Sequence, residues 1–289
     1  MKISVLINNF NYAAYLPACI DSVLAQDYAD FEVVVVDDGS TDTSRDIITG
    51  YGDRIVAVLK RNGGQASSFN AGFAAATGDI MCLLDSDDTF LPGKLSTLAR
   101  LYAENGYDWC FDRVTMDEGD EPPVKLSLTQ VDKRALMARG KFPSLPVPTS
   151  GLSFTRALLA QILPMREATD VVLSDNYLKF AAAYLGRGAV IDTPLTFQRV
   201  HGTNRYTNTD RAKTLKPKIM VATGLELAHR YPGLKSLGRS LIVGGTARLP
   251  ADARNQAFND IQSSDVFGKD ISSIKFNAFL KSALLRVSR

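Results

Sequence analysis

Leu83-Leu84-Asp85-Ser86-Asp87-Asp88 decides how the rest of the chain reads. The apolar run Ile80-Met81-Cys82-Leu83-Leu84 leads straight into three carboxylates. A run of that kind ending in Asp and Ser predicts a buried strand that emerges at a sheet edge. Carboxylates crowded at a strand end repel one another unless positive charge sits between them. A hard divalent cation with oxygen ligands meets that need, and Mg²⁺ or Mn²⁺ held so also takes substrate phosphates. The competing reading is a solvated acidic turn, which an isolated Asp-x-Asp would favour. The strand context and a second acidic pair, Asp37-Asp38, favour the cation.

Working outward, the same strand-then-polar pattern recurs upstream. Lys2–Ile7 predicts a first strand ending in Asn8-Asn9-Phe10-Asn11, and Leu16, Ile20, Val23 and Leu24 follow at helical spacing. Phe31–Val36 is an uninterrupted β-branched run, as in a strand buried on both faces of a parallel sheet. It stops at Asp37-Asp38-Gly39-Ser40-Thr41-Asp42, rich in helix-capping residues. A helix to about Thr49, a strand over 54–59, the loop Asn62-Gly63-Gly64-Gln65 and an alanine-rich helix over 67–77 lead to the Asp79–Leu84 strand. Pro92 suits the first turn of a helix carrying Leu95, Leu98 and Leu101. Strand and helix alternating four times predict a doubly wound, mostly parallel α/β sheet. Ligands of such sheets bind beyond the carboxyl ends of the strands, where Asn8–Asn11, Asp37–Asp38 and Asp85–Asp88 all fall.

Beyond Phe111 the pattern loosens. A short strand over 150–154, a helix over 175–185, and extended pieces at 189–191 and 195–200 precede His201-Gly202-Thr203-Asn204. Later signals are helical, interrupted by Pro217, Pro232 and Pro250. The expected organisation is a domain over 1–205, with halves 1–110 and 111–205, followed by a C-terminal helical appendage over 206–289.

The totals bound the class. With 45% hydrophobic and 22% charged residues over 289 positions, the composition is that of a globular chain of one large domain or one and a half. No run of about 18 apolar residues predicts a membrane span, and the N-terminus enters a strand without the shape of a signal peptide. The three cysteines, Cys19, Cys82 and Cys110, are scattered and odd in number; Cys82, in an apolar strand, and Cys110, beside aromatics, read as buried thiols of a reducing compartment. The net charge of +2 hides an asymmetry. Residues 211–289 hold 14 Lys/Arg against 5 Asp/Glu, a balance of +9, which leaves −7 for the remainder. The basic tail lacks the density and aromatic interleaving of a nucleic-acid site. Its Ile274–Arg286 stretch mixes bulky apolar and basic residues and suits an anionic membrane surface. A final helix packed on the body is the competing reading and the favoured one. The expected location is cytoplasmic, peripheral on the inner membrane face if the tail attaches.

Residues 3 to about 100 resemble the nucleotide-sugar half of a family 2 glycosyltransferase with the GT-A fold. Three stretches carry the resemblance: Val35–Asp42; Asn62-x-Gly64 with Asn70, Gly72 and Gly78-Asp79; and Leu84–Asp88 followed by Pro92. The resemblance implies an inverting, metal-dependent transferase. Its donor is a nucleotide sugar, UDP or dTDP favoured, and its acceptor a hydroxyl on a glycan, lipid-linked or protein substrate. Asp38 would accept from a uracil or thymine imide while Asp37 supports the loop, Phe10 would pack on the base, Gln65 would line the nucleotide, and Asn8 and Asn11 would either contact the nucleotide or cap the strand turn. Asp87 would ligate Mn²⁺ or Mg²⁺. Asp85 would hold the ribose or reach the metal through water, and His201 would stand near the diphosphate or metal. Asp88 is either a structural cap or an acceptor-side contact. The family's catalytic base corresponds to Asp175 in Ser174-Asp175-Asn176, where Ser174 replaces the usual Glu; Asp170 is the alternative base, and a simple helix cap is the other reading of Asp175.

Two other functions remain in view. A nucleotidyltransferase that makes sugar nucleotides would carry a Gly-rich, basic phosphate loop after the first strand, which Asn8–Tyr12 lacks. A non-catalytic nucleotide-sugar-binding protein would keep Asp38 and Phe10 and dispense with Asp87 and Asp175. Gln198-Arg199 without a following Trp, and the lack of membrane runs, argue against a processive synthase.

Overall fold

The β-branched and leucine-rich runs do pair into one sheet. The computed structural model describes residues 1–117, 126–167, 173–202 and 210–287, which divide into two compact units. The first comprises Met1–Asp132, Leu145–Glu167 and Leu178–His201; the second comprises Lys133–Ser144, Ala168–Tyr177 and Gly202–Arg289.

The first unit holds β1 (Ile3–Asn9), β2 (Phe31–Asp37), β3 (Val56–Leu59), β4 (Ile80–Asp85), β5 (Thr89–Phe90), β6 (Trp109–Thr115), β7 (Leu128–Val131), β8 (Leu152–Thr155) and β9 (Gly188–Phe197). Its strand order among the described residues is β3-β2-β1-β4-β8-β6-β9-β5, with β7 also on β9. The β3-β2-β1-β4 half is parallel, as the uninterrupted apolar runs require. Register pairs Asn8 with Val36 on one side and Asp85 on the other. Helices α1 (Leu16–Leu24), α2 (Ser44–Gly50), α3 (Gly64–Ala75) and α4 (Lys94–Asn105) connect these strands. Ile3, Val5, Ile7, Val33, Val35, Cys82 and Leu84 share a core with Leu16, Ile20 and Val23 of α1 and Leu95 and Leu98 of α4. At roughly 1.5–3 kcal/mol per buried large apolar side chain, that core dominates the unit's cohesion.

Three expected boundaries move. Gly52–Arg54 form a single 3₁₀ turn, so β3 starts at Val56 rather than at Arg54. Helix α3 starts at Gly64, because the amides of Gly63 and Gly64 are taken by the Asp38 carboxylate. The two extended pieces near 189 and 195 are one strand, β9, paired with β6 across a register shift between Asp112 and Val114.

The second unit is helical: α5 (Arg134–Ala138), then, after α6 (Arg156–Ile162) of the first unit, the start of α7 (Asp175–Leu185), then α8 (Asp210–Arg230), α9 (Lys235–Thr246), α10 (Ala251–Ser263) and α11 (Ile271–Val287). Helices α8 and α9 touch backbone to backbone. A Cβ at Gly224 would stand 2.6 Å from the Gly238 carbonyl oxygen, and one at Gly238 2.4 Å from that of Gly224. Ile242, Ile261, Phe267 and Ile274 fill the core of this unit. No helix among the described residues is long and apolar enough to cross a membrane.

Candidate active site

The site grows from the carboxyl ends of three adjacent parallel strands. At the end of β2, Asp37 is fully buried and accepts from Arg45 Nε (2.8 Å), Ser40 N (3.0 Å) and Asn9 Nδ2 (3.0 Å). Burial alone would raise its pKa, but these hydrogen bonds outweigh it and hold the carboxyl below its ordinary value. Asp37 is therefore the strut of the loop. Its neighbour Asp38 faces the loop after β3, accepting from Lys60 Nζ (2.6 Å), Gly63 N (2.8 Å) and Gly64 N (2.7 Å). Between the two loops Gly39 has φ +80, and a Cβ there would stand 2.6 Å from the Asn62 amide nitrogen. No side chain fits that approach.

At the end of β1, Asn8 keeps both side-chain polar atoms buried with no hydrogen-bond partner among the described residues, and Gln65 Oε1 is in the same condition. Asn11 stands at φ +60, its Oδ1 accepting from Thr41 N at 2.7 Å, so it staples the Asp37–Asp42 loop. Phe10 is 40% exposed at the rim.

Beyond β4 the acidic residues part company. Asp88 Oδ2 accepts from Ser150 Oγ, and its Oδ1 accepts from Arg199 N (3.0 Å). Ser150 Oγ in turn accepts from the Asp85 amide at 3.1 Å. Burial, reinforced by the charge of Asp87, pushes the Asp88 carboxyl up to about 7. Asp87 instead meets His201, with Nε2 3.1 Å from Oδ2. His201 stacks on Tyr15 (4.3 Å between centroids) and meets Tyr12 edge-on (5.7 Å), while the Arg199 guanidinium lies 5.2 Å over Tyr15. Beneath the rim, Lys94 is 1% exposed and spends its three ammonium protons on Asp112 (2.8 Å), the Ser150 carbonyl (2.9 Å) and Thr196 Oγ1 (2.7 Å).

Asn8 and Asp85 in strands, and Asp38, Asp87 and His201 in the segments that follow strands, thus all belong to the first unit. Asp175 belongs to the second unit and opens α7. There the capping bond to the Asn176 amide is made by Ser174 Oγ at 3.3 Å, and Asp175 stands in the first turn. Asp170 lies outside the described residues.

Among the described residues no three His, Cys, Asp or Glu side chains form a ready cage for a metal ion. The donor set still fits Mg²⁺ or Mn²⁺. Such ions bind through one or two carboxylates and complete their shell with water and substrate phosphate. Asp87 with an imidazole beside it, and Asp85 two residues away, provide that kind of half-shell.

Several participants escape a reading of the sequence. Lys60 and Ser150 have no local signature, since each acts on an acid far away in the chain. Lys94 had one: it falls four residues before Leu98 and seven before Leu101, on the buried stripe of α4. Tyr15 is legible only as the residue preceding α1.

Comparison with known proteins identifies the family. Residues 4–162 match the model described as "Glycosyl transferase family 2". An uncharacterized glycosyltransferase of Nostoc sp. (strain PCC 7120) is 34% identical over 241 residues, which span 80% of this chain and 74% of that one. The crystal structure of S. aureus TarS 1–349 in complex with UDP-GlcNAc superposes at a TM-score of 0.68 with 19% identity, covering 98% of this chain and 88% of that one. The mannosyltransferase PcManGT from Pyrobaculum calidifontis, in complex with GDP-Man and Mn²⁺, does so at 0.55 with 17% identity, covering 97% and 86%. These two structures share the fold. Taken with the strand-end loops, the family match over more than half the chain leads to one conclusion: the chain belongs to family 2 of the glycosyltransferases and is a glycosyltransferase.

Proposed function

We propose that this glycosyltransferase moves a single sugar, with inversion, from a nucleotide-sugar donor to a hydroxyl of a glycan, lipid-linked or protein acceptor. It does so in the cytoplasm, with Mn²⁺ or Mg²⁺ as cofactor and with peripheral attachment to the inner membrane face through residues 274–286. Residues 1–205 form its transferase domain and 206–289 its appendage. The observation that carries the reading is Asn8. A buried side-chain amide with neither polar atom partnered costs about 1–3 kcal/mol per group. Its place, in register with Asp85, is where a bound nucleotide supplies the missing partners.

The remaining roles follow from the chemistry of each group. A carboxylate offers about four acceptor positions. Asp38 fills three of them within the protein, which leaves one for a uracil or thymine imide. Phe10 supplies a face for the base, Gln65 a further polar contact, and Asn11 the loop's shape. Asp87 with His201, and Asp85 beside them, hold the cation, whose charge when bound offsets that developing on the departing diphosphate. Asp88 is the structural anchor between Ser150 and the Arg199 amide. Asp175 takes the proton of the incoming hydroxyl. The neighbours solved with UDP-GlcNAc and with GDP-Man and Mn²⁺ support a nucleotide-sugar donor and a divalent cation.

Calorimetry with UDP, dTDP and GDP, with and without Mn²⁺, alongside release of nucleoside diphosphate from sugar nucleotides, tests the reading. Metal-strengthened binding and donor consumption are expected. Tight binding with no turnover would mark a binding protein, and pyrophosphate release from a nucleoside triphosphate and a sugar phosphate would mark a nucleotidyltransferase.

A further inference from the structure

Helix α11 is apolar on two opposite sides. Ile274, Ala278 and Ser282, spaced by four, are buried against the helical unit. The outward side repeats the same spacing: Phe276 is 62% exposed, Phe279 66%, Leu280 45% and Leu284 70%, with Ala283 between them also exposed. An outward helix face in water ordinarily carries charge. Here four large apolar side chains occupy three consecutive turns, and contiguous apolar surface of that sort marks an interaction site.

Basic groups flank it and lie behind it. Lys275 and Lys281 sit on the flanks of the outward stripe, and Lys275 Nζ lies 5.7 Å from the centre of the Phe258 ring. On the other side of the helix, where Ser282 stands, a cavity of about 730 Å³ is walled by Lys213 and Lys216 of α8, Arg248, Arg254 of α10, and Ser282 and Leu285 of α11, and adds to the positive charge of the unit. None of the described residues lining it is acidic. Arg254 uses Nη2 for the Leu249 carbonyl (2.9 Å) and Ser282 Oγ (3.1 Å), whereas its buried Nε has no partner among the described residues. The whole stretch 211–289 carries +9.

We propose that the outward face of α11, with Lys275 and Lys281 on its flanks, is a docking surface for an anionic lipid bilayer. Phe276, Phe279, Leu280 and Leu284 enter the boundary between headgroups and acyl chains, and Lys275 and Lys281 meet the lipid phosphates. This deepens the membrane attachment in the proposed function and names its residues. Charge selects the occupant. A second copy on the same face would bring two strongly basic segments together, whereas an anionic leaflet attracts each lysine and arginine near its surface. Long basic side chains beside an apolar stripe reach the headgroup layer while their stems stay with the lipid.

Co-sedimentation of the full chain with phosphatidylglycerol–phosphatidylcholine vesicles tests this, without donor or metal, so that its outcome is independent of sugar transfer. The parent is expected to bind these vesicles at low salt, to weaken as salt rises, and to ignore pure phosphatidylcholine. The triple variant Phe276→Ser, Phe279→Ser, Leu280→Gln touches only outward positions and should keep the parent's melting temperature while losing vesicle binding. Lys275→Glu with Lys281→Glu should weaken binding about tenfold or more. The proposal is overturned by a parent that never co-sediments or by a folded triple variant that binds as the parent does. It is equally overturned by sedimentation velocity showing a dimer that the triple variant dissolves, with no vesicle binding in either protein.

Discussion

Asp87 and Asp175 divide the work at the scale of single residues. Asp87→Ala removes the carboxylate facing His201, in the turn beyond β4. It should abolish Mn²⁺-dependent transfer and weaken donor binding while leaving the melting temperature nearly unchanged. Full activity in excess chelator would remove the metal from the account. Asp175→Asn keeps shape, and Ser174 continues to cap the helix. It should lower the single-turnover transfer rate by about 10²–10⁴-fold, the usual worth of a general base, with donor affinity intact in calorimetry. A variant within a few-fold of the parent would shift the role to Asp170.

At the scale of elements, two charged side chains, the buried Lys94 and the half-buried Glu32, tie strands and helices together. Lys94 joins α4 to β6 and β9 through Asp112 and Thr196. Lys94→Met leaves the fully buried Asp112 carboxylate without its cation, a change that costs about 3–5 kcal/mol. Urea unfolding followed by Trp109, the sole tryptophan, should show the loss, and Lys94→Met with Asp112→Leu should recover much of it. Glu32 pins β1 and β2 to the turn after α3. Burial would raise its pKa, but hydrogen bonds from Lys2, Ser4 and Thr77 overcome this and bring it from 4.5 down to about 2. A depressed carboxyl stabilises the fold above its unfolded pKa and gives that up as pH falls through the folded one. The parent should therefore lose more thermal stability than Glu32→Gln between about pH 4.5 and pH 2. Equal losses in melting curves across that window would mean that Glu32 is not linked to folding.

For the whole molecule, what could be read in advance follows how local each signal is. The parallel half of the sheet was legible because β1, β2 and β4 are continuous apolar runs, each ending in polar residues. The antiparallel placement of β8 between β4 and β6 was not, because Leu152–Thr155 is four residues long and its pairing is set by partners about forty and seventy residues upstream. The rim residues were legible by type, Asp37, Asp38, Asp85 and Asp87 among them. The resemblance already casts Asp37 as loop support, but the partners that fix each acid's part were hidden, since Arg45, Lys60, Ser150 and His201 arrive from elsewhere in the chain. In the helical appendage the mixed apolar and basic character of 274–286 was visible. Which apolar residues face outward was not, because both sides of α11 repeat at helical spacing.

The three cysteines allow the two units to be timed separately. Cys19, Cys82 and Cys110 are all free and buried, and all lie in the first unit. Burial pushes each thiol up, Cys82 to about 12, so the reactive thiolate is scarce while the native packing holds. A small disulfide reagent added to the native protein thus acts as a clock. Each modified sulfur records one occasion on which the sheet around the rim opened, whereas opening confined to the helical unit leaves no mark. Mass spectrometry of the modified peptides, taken against time with and without UDP and Mn²⁺, would show how far ligand slows that clock. At a ligand concentration of 100 Kd the rate should fall by about a hundredfold, the kinetic image of roughly 2.7 kcal/mol of stabilisation.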